Sequence, residues 1–214
     1  MTQHDSKRKG IFVVIDGRDG VGKSTATKLL EQTIPKNFGG ATAKRYPSPV
    51  PGRTERLIRR MLIDGRAKKY PNLFQMLFTL NRVIFQETEL QEALESHDVV
   101  LMDRWTASTW AYGTAEHCNP KVVQACLAVA RKPDVEIILQ GPSRRAKSED
   151  SYEDDFMMQL QLMDLYEQWA DGTFEVYYPS TTRVFHLDVS EKSIEEVQAA
   201  IVHILSLVEM DLPD

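Results

Sequence analysis

The chain carries near its start the glycine-rich stretch Asp16-Gly17-Arg18-Asp19-Gly20-Val21-Gly22-Lys23-Ser24-Thr25. Gly17, Gly22, Lys23 and Ser24 match the spacing G-x-x-x-x-G-K-[ST] of a phosphate-binding P-loop. Glycines let the backbone turn so that successive N–H groups point at a polyphosphate. We therefore expect Lys23 to bridge the β- and γ-phosphates of a nucleoside triphosphate and Ser24 to ligate Mg²⁺. The residues expected to bind this triphosphate are Gly17, Asp19, Gly20, Val21, Gly22, Lys23, Ser24 and Thr25.

Short apolar runs alternate with amphipathic stretches around this loop, as in a parallel sheet covered by helices. We predict five strands, at about 11–15, 42–46, 99–102, 135–139 and 183–187. We predict helices at about 24–33, 54–64, 71–96, 120–131, 151–169 and 193–208. Pro71 and Pro120 fit the first turn of a helix, and Ser193 with Glu196 fits a capping box. No repeat or long linker divides the sequence, so we expect one domain over residues 1–214.

The charge balance limits the partners that this protein can have. Its 214 residues include 26 Lys+Arg and 31 Asp+Glu, for a net charge of -5, which argues against binding to nucleic acid or anionic lipid by bulk charge. The cysteines, Cys118 and Cys126, show no disulfide or zinc pattern. The N-terminal residues lack the apolar core of a signal peptide, and no apolar run is long enough for a membrane span. We expect a cytoplasmic protein with no nucleic-acid or membrane partner.

A second motif ends a predicted strand, in Val99-Val100-Leu101-Met102-Asp103-Arg104. Ligands of open parallel sheets bind beyond the carboxyl ends of the strands. Asp103 is therefore placed to hold Mg²⁺, and Arg104 to bind phosphate through its planar guanidinium. An aspartate that only caps the next helix is the alternative interpretation.

Three segments in this order resemble the motifs of thymidylate kinases: the P-loop, Leu77-Phe78-Thr79-Leu80-Asn81-Arg82 and Asp103-Arg104-Trp105-Thr106-Ala107-Ser108-Thr109-Trp110-Ala111-Tyr112. The resemblance extends over about residues 10–205 and includes Ser151-Tyr152-Glu153. It implies an α/β P-loop NTPase fold, with a five-stranded parallel sheet flanked by helices and a short lid. It also implies phosphoryl transfer from ATP, with Mg²⁺, to the 5′-phosphate of a deoxynucleoside monophosphate, most readily dTMP. Because the family usually forms homodimers, it implies a homodimer here.

The resemblance further implies which residues bind the acceptor. Asp19 corresponds to an acidic residue that binds the sugar 3′-hydroxyl, Phe78 to an aromatic that stacks on the base, and Arg82 to an arginine that hydrogen-bonds to its exocyclic oxygen. The full expected set is Asp19, Arg53, Phe78, Arg82, Arg104, Ser108, Tyr112 and Tyr152. From the residues alone, Phe78 could equally be a core residue on an apolar helix face, and Asp19 a solvent-facing loop residue.

Thymidylate kinases differ in where a catalytic basic residue lies, either inside the P-loop or on a mobile lid. Gly20 stands at the P-loop position here, so the resemblance implies that a lid at about residues 141–153 supplies the charge. Arg144 and Arg145 are then expected to be catalytic, together with Lys23 and Arg104. A solvated charged loop is the alternative interpretation of this segment.

Three positions depart from the family pattern. The loop from Tyr46 offers Arg53 for the acceptor phosphate only after an apparent insertion. Trp105 stands where tyrosine or histidine is frequent, and Gly113 replaces a larger residue beside the pocket. These changes would suit another base, or a pyrimidine with a larger substituent at position 5.

Two other functions remain open from the sequence. A deoxynucleoside kinase would also use a P-loop and an acidic-basic pair, but it would need a general base to activate a sugar hydroxyl. A nucleotide-dependent switch of the GTPase type should show an Asn-Lys-x-Asp motif for the base, which this chain lacks.

Overall fold

The computed structural model describes residues 10–143, 156–172 and 182–208. Within these ranges five parallel strands form one sheet in the order β2-β3-β1-β4-β5. The strands are β1 (Ile11–Asp16), β2 (Ala43–Tyr46), β3 (Val99–Asp103), β4 (Val135–Gln140) and β5 (Arg183–Asp188). The predicted five-stranded α/β fold is therefore confirmed.

The described ranges contain nine α-helices, which cover both faces of the sheet. They are α1 (Lys23–Asn37), α2 (Arg53–Ile63), α3 (Arg66–Lys69), α4 (Pro71–Phe85), α5 (Gln91–Ser96), α6 (Thr106–Ala115), α7 (Pro120–Val129), α8 (Phe156–Ala170) and α9 (Ile194–Leu207). Pro71 and Pro120 occupy the first turns of their helices, and Ser193 and Glu196 form the predicted capping box. None of the described helices is long and apolar enough to cross a membrane.

The helix predictions need correction at one assigned helix and at two helices that were not predicted, the short α3 and α6. The single helix predicted at 71–96 is interrupted by a π-helical turn at Gln86–Leu90, which separates α4 from α5. The sequence analysis did not predict α6. Seven of its ten residues are buried, so it is enclosed on most sides and lacks the one-sided apolar pattern by which an amphipathic helix is recognised.

The side chains of β1 alternate between two cores because successive residues of a strand point to opposite faces. Val13 and Ile15 pack with apolar residues of α1 and α9 on one face. Phe12 and Val14 pack on the other face, where Phe85 and Trp105 lie. Asp16, the last residue of β1, is fully buried.

One buried carboxyl lies in the core outside the phosphate loop. Glu136 on β4 is 1% exposed, and its carboxylate accepts a hydrogen bond from the Trp169 indole at 2.7 Å. Burial, and then the nearby charge of Asp16, raise the pKa of Glu136 to about 8, although the Trp169 hydrogen bond acts in the opposite direction. At neutral pH this side chain is therefore mostly protonated in the folded protein.

The variant Glu136→Gln is expected to remove a pH-dependent loss of stability. Because the unfolded chain releases this proton near pH 4.3 and the folded protein near pH 8, rising pH between these values favours unfolding. The free energy of unfolding of the wild type, relative to the variant, should therefore fall from pH 5.5 to 7.5. Urea unfolding at several pH values measures it, with Glu167→Gln as the exposed control. A difference that does not change with pH would contradict the expectation.

Candidate active site

A cavity of about 520 Å³ opens beyond the carboxyl ends of β1 and β3. Predicted site residues that line it are Asp19, Gly20, Val21, Gly22, Lys23, Ser24, Thr25, Phe78, Arg82, Asp103, Arg104, Ser108 and Tyr112. Gly17 and Arg53 are not among its lining residues. Arg144, Arg145 and Tyr152 lie outside the described residues, as does most of the predicted lid. One cavity thus joins the P-loop to the predicted acceptor site.

The P-loop backbone depends on glycine at several turns. Gly17, Gly20 and Gly22 have φ values of 137°, 75° and 107°, in the region that side chains with a Cβ rarely adopt. A Cβ at Gly20 would also lie 1.9 Å from the Ser143 Oγ. The loop therefore packs directly against the segment that precedes residue 144, and no larger side chain fits at position 20 in this arrangement.

Lys23 begins α1 and is 5% exposed. Its Nζ donates a hydrogen bond to the Arg18 carbonyl at 2.6 Å. Burial, and then the charge of Arg104, lower the pKa of Lys23 to about 8, while Asp19 and Asp103 act in the opposite direction. The ammonium group is therefore largely protonated at pH 7, and its partner in the structure is a neutral carbonyl.

Ser24 and Asp103 meet where α1 begins and β3 ends. The Ser24 hydroxyl donates a hydrogen bond to the Asp103 Oδ2 at 2.5 Å. These residues are 79 positions apart in the sequence, and the parallel pairing of β1 with β3 brings them together. The arrangement places a hydroxyl and a carboxylate side by side on the cavity wall.

Asp19, Arg104 and Tyr112 form a polar cluster in the cavity. The Arg104 Nη2 and the Tyr112 hydroxyl both donate to the Asp19 carboxylate. Burial opposes ionisation of Asp19, but the charges of Arg104 and Lys23 outweigh it and hold its pKa at about 2. Arg104 has φ 70°, and its backbone N–H donates to the Ile15 carbonyl at 3.0 Å. The cluster therefore keeps one carboxylate ionised beside two cations.

Asp16 is a site residue that the sequence analysis missed. Its carboxylate accepts hydrogen bonds from the backbone N–H of Gly17 at 2.8 Å, of Trp105 at 2.8 Å and of Ser108 at 3.1 Å. It also accepts from the hydroxyls of Ser108 at 2.6 Å and Tyr166 at 3.0 Å. Since Trp105 precedes α6, Asp16 caps the start of that helix from another element. A charged residue at the end of an otherwise apolar strand was the available signal.

Phe78 and Arg82 lie on one face of α4, as predicted from their spacing. Arg82 is 3% exposed, and its guanidinium lies 5.6 Å from the Phe78 ring centroid and 5.7 Å from that of Trp105. Its Nη1 donates to the Thr109 hydroxyl, while its Nε is buried without a hydrogen-bond partner among the described residues. Burial lowers the pKa of Arg82 to about 10, so the group stays charged and has a donor to spare.

The two family departures near the pocket have structural explanations. Trp105 is fully buried behind Arg82, and its indole N–H donates to the Arg131 carbonyl at 2.7 Å. A Cβ at Gly113 would lie 2.9 Å from the Val123 Cγ2, so glycine permits close packing of α6 against α7. Neither residue lines the cavity. A lining residue that the sequence analysis missed is Gln75, a buried polar side chain one turn before Phe78 on α4.

Arg53 and Arg59 lie on the same helix, α2, but differ in their relation to the cavity. Arg53 is the exposed first residue of α2 and does not line the cavity. Arg59 does line it, and its guanidinium also pairs with Glu55. The six-residue spacing places residues 53 and 59 on different sides of the helix. The sequence analysis missed Arg59 because the side of α2 that faces the cavity is set by packing in the folded protein.

The chain is similar to known proteins of one family. The chain matches the thymidylate kinase family model over residues 15–201. A probable thymidylate kinase of Pyrobaculum aerophilum is 32% identical over 128 residues, which are 60% of this chain and 63% of that protein. A thymidylate kinase of Ruegeria pomeroyi is 31% identical over 157 residues, which are 68% of this chain and 74% of that protein. The alignments thus span between three fifths and three quarters of these relatives.

Solved structures share the fold over almost the whole chain. The thymidylate kinase of Candida albicans has a TM-score of 0.74 at 19% identity, covering 94% of this chain and 93% of that one. The thymidylate kinase of Ehrlichia chaffeensis has a TM-score of 0.66 at 18% identity, covering 93% and 100%. The family model covers most of the chain, including both walls of the cavity, and the chain therefore belongs to the thymidylate kinase family.

Proposed function

We propose that this protein transfers the γ-phosphoryl group of ATP to the 5′-phosphate of a deoxynucleoside monophosphate, with dTMP as the first acceptor. One observation carries the proposal: a single cavity has a P-loop on one wall and the Phe78–Arg82 pair on another. A triphosphate and a monophosphate nucleotide can therefore meet in one site. Membership of the thymidylate kinase family supports the same reaction.

The P-loop supports the donor half of the reaction. Its backbone amides and the N-terminus of α1 favour an anion. Lys23 is protonated at neutral pH because its pKa, although lowered, is about 8. A phosphate oxygen is a stronger acceptor for its ammonium group than the Arg18 carbonyl that it contacts in the structure. Lys23 is thus positioned to release the Arg18 carbonyl and to donate to a phosphate oxygen of ATP instead.

The Ser24–Asp103 pair fits Mg²⁺. A hydroxyl and a carboxylate are oxygen ligands of the kind that Mg²⁺ prefers, and the ion usually takes one or two carboxylates together with substrate phosphates. When bound, Mg²⁺ neutralises charge on the phosphate oxygens. The described residues contain no cluster of three His, Cys, Asp or Glu suited to a metal, so the ion would depend on nucleotide phosphates and water for its other ligands.

The α4 wall supports the acceptor half. Phe78 offers a ring face for stacking, and the charged Arg82 side chain, which lines the same wall, suits an exocyclic oxygen of a pyrimidine. Asp19, ionised even at low pH, suits the hydroxyl of a sugar rather than a phosphate. Ser108 and Tyr112 complete this wall. Gln75, a buried polar residue of the same cavity, offers a side-chain amide that can donate to or accept from the edge of a base.

The proposed reaction does not require a side chain that acts as a general acid or base. The acceptor is already a phosphate oxyanion, so no general base is needed to expose the nucleophile. Catalysis then consists of aligning donor and acceptor and spreading charge in the transition state. Arg104 is suited to spreading charge because it stays protonated in the site. Desolvation by burial lowers the pKa of its guanidinium, but Asp19 and the neighbouring groups outweigh this effect and raise that pKa well above the ordinary value.

Arg59 is a second candidate for the acceptor phosphate, because it lines the cavity while Arg53 does not.

Several assignments stay predictions from the sequence. They are the roles of Arg144 and Arg145 as lid cations, the role of Tyr152 as an acceptor contact, and the cytoplasmic location. The lid interpretation of residues 141–153 belongs with them.

We further propose that two copies of the chain associate through α4. Its outer face carries Leu73, Met76, Leu80 and Ile84, which are 45–52% exposed and follow helical spacing. Apolar side chains on a helix gain free energy when a second apolar face covers them. A second copy offers the same face, as a two-fold interface requires.

The wild-type protein should form ADP from ATP when given dTMP, and a screen of all natural monophosphates with 5-substituted dUMP analogues measures its acceptor range. Lys23→Ala should lose at least about a hundredfold in turnover, because a cation at the phosphates is removed, while its thermal unfolding stays cooperative. That variant is the control for contaminating kinases.

Each contrary outcome of the screen identifies a different error. Turnover of purine monophosphates alone would contradict the roles given to Phe78 and Arg82. Phosphorylation of the nucleoside instead of the monophosphate would establish the deoxynucleoside kinase alternative. Phosphate release without any phosphorylated acceptor would favour the switch.

Arg59→Ala is expected to raise the KM for the monophosphate about tenfold, which corresponds to about 1.4 kcal/mol of binding. Arg53→Ala, the matched control on the same helix, should leave it unchanged, and neither variant should alter the KM for ATP. Steady-state kinetics with each nucleotide varied in turn gives both constants. The opposite result for the two arginines would restore the original assignment to Arg53.

The wild type should sediment at twice the 24.4 kDa mass of the chain. The double variant Met76→Glu and Leu80→Glu should shift it towards the monomer, because burying two carboxylates at an interface is costly. Ile63→Glu is the control, since Ile63 is 86% exposed outside the α4 face. Sedimentation velocity at several concentrations decides. A monomeric wild type, or a dimer unaffected by the double variant, would contradict the proposed interface.

A further inference from the structure

Tyr166 lies on α8 and is 1% exposed. It does not line the cavity, yet its hydroxyl reaches the polar residues behind the wall. The hydroxyl oxygen lies 2.8 Å from the Ser108 Oγ, 3.0 Å from the Asp16 Oδ1 and 3.3 Å from the Arg104 Nη1. A residue outside the motifs that predicted the site therefore contacts three of its polar groups.

The chemistry of these groups fixes the direction of the hydrogen bonds that involve Arg104 and Asp16, while in the Tyr166–Ser108 contact either hydroxyl can donate. A guanidinium can only donate and an ionised carboxylate can only accept. The Tyr166 oxygen therefore accepts from Arg104, and its hydrogen is available to Asp16. The Ser108 hydroxyl makes a parallel connection, accepting from Arg104 at 3.0 Å and donating to Asp16 at 2.6 Å. Two hydroxyls thus link a cation to a buried anion.

The direct contact between the charged groups is looser. The Arg104 Nη1 lies 4.0 Å from the Asp16 Oδ1, beyond hydrogen-bond distance. Its only other described acceptor is the Gly17 carbonyl at 2.9 Å. The Nη2 faces Asp19 at the cavity. The two hydroxyls therefore hold the inner side of the guanidinium while its outer side remains directed at the substrate site.

Tyr166 is suited to keep its donor hydrogen. Burial, and then the charge of Asp16, raise the pKa of its hydroxyl well above the ordinary value, so the phenol stays protonated throughout the neutral range. The titratable groups that face it are Asp16 on β1, Arg104 after β3 and Tyr112 on α6. The phenol of Tyr166 therefore keeps its hydrogen available to Asp16 in this pH range.

We propose that Tyr166 is a positioning residue whose hydroxyl, anchored on the Asp16 carboxylate, holds the Arg104 guanidinium in its working orientation. This inference rests on the proposed role of Arg104 as a ligand of phosphate. Groups that are oriented before the substrate arrives need no reorganisation in the transition state. Without the Tyr166 hydroxyl, the Arg104 Nη1 would keep its contacts with the Gly17 carbonyl and the Ser108 hydroxyl but would have fewer orientations excluded. The loss would lower turnover more than it would weaken ATP binding.

The variant Tyr166→Phe removes the hydroxyl and keeps the ring in the core. We expect kcat with dTMP to fall about tenfold while the KM for ATP changes less than twofold. Tyr46→Phe, the same chemical change at a half-buried tyrosine outside the cavity, should leave kcat unchanged. Thermal unfolding of each variant shows whether a loss of activity reflects a loss of folded protein.

A double-mutant cycle with Arg104→Ala separates positioning from packing. If Tyr166 acts through Arg104, Tyr166→Phe should have almost no further effect on kcat once Arg104 is gone. A tenfold loss in both backgrounds, or an unchanged kcat in the wild-type background, would overturn the inference and leave the proposed function intact. Wild-type activity in Arg104→Ala would instead overturn the role of Arg104, and the inference with it. Lack of dTMP phosphorylation by the wild type would contradict the proposed function itself.

Discussion

The buried charge of Asp16 is the constraint on which the rest of the site depends. A carboxylate removed from water is costly unless hydrogen bonds satisfy its oxygens. Here the donors come from the first amide of the P-loop, from two amides at the start of α6 and from hydroxyls on α6 and α8. The P-loop, α6 and α8 can satisfy the charge only when all three are in place. The P-loop, on the proposed ATP side of the cavity, and α6, on the proposed acceptor side, are therefore fixed relative to each other through the Asp16 carboxylate.

The distribution of charge is compatible with the proposed binding of two nucleotides by an acidic chain. The net charge is -5, yet Lys23, Arg82 and Arg104 are gathered at one cavity, where burial strengthens their attraction for an anion. The groups that surround the charge differ between the two arginines. Arg104 has the carboxylates of Asp16 and Asp19 nearby, whereas Arg82 has aromatic rings and a hydroxyl. Arg104 is thus matched to charge, and Arg82 to a neutral polar group.

Local patterns predicted the parts of the site that local chemistry determines. The P-loop, the Asp103-Arg104 pair and the four-residue spacing of Phe78 and Arg82 follow from short segments, and the structure brings them to one cavity. Asp16 and Tyr166 are 150 positions apart, so no local pattern relates them. Arg59 was missed because the side of α2 that faces the cavity is set by tertiary packing and not by a local pattern. The unpredicted α6 shows that a nearly enclosed helix gives no one-sided pattern.

The contact between Gly20 and Ser143 restricts which residue can occupy position 20. A side chain at position 20 would collide with Ser143, and the backbone there has a positive φ. A residue with a Cβ at position 20 would therefore have to adopt a strained backbone and displace the Ser143 side chain at the same time. The conformation of the P-loop is thus coupled to the residues that follow β4, so a change of side chain at position 20 would be felt at residue 143 as well as in the loop itself.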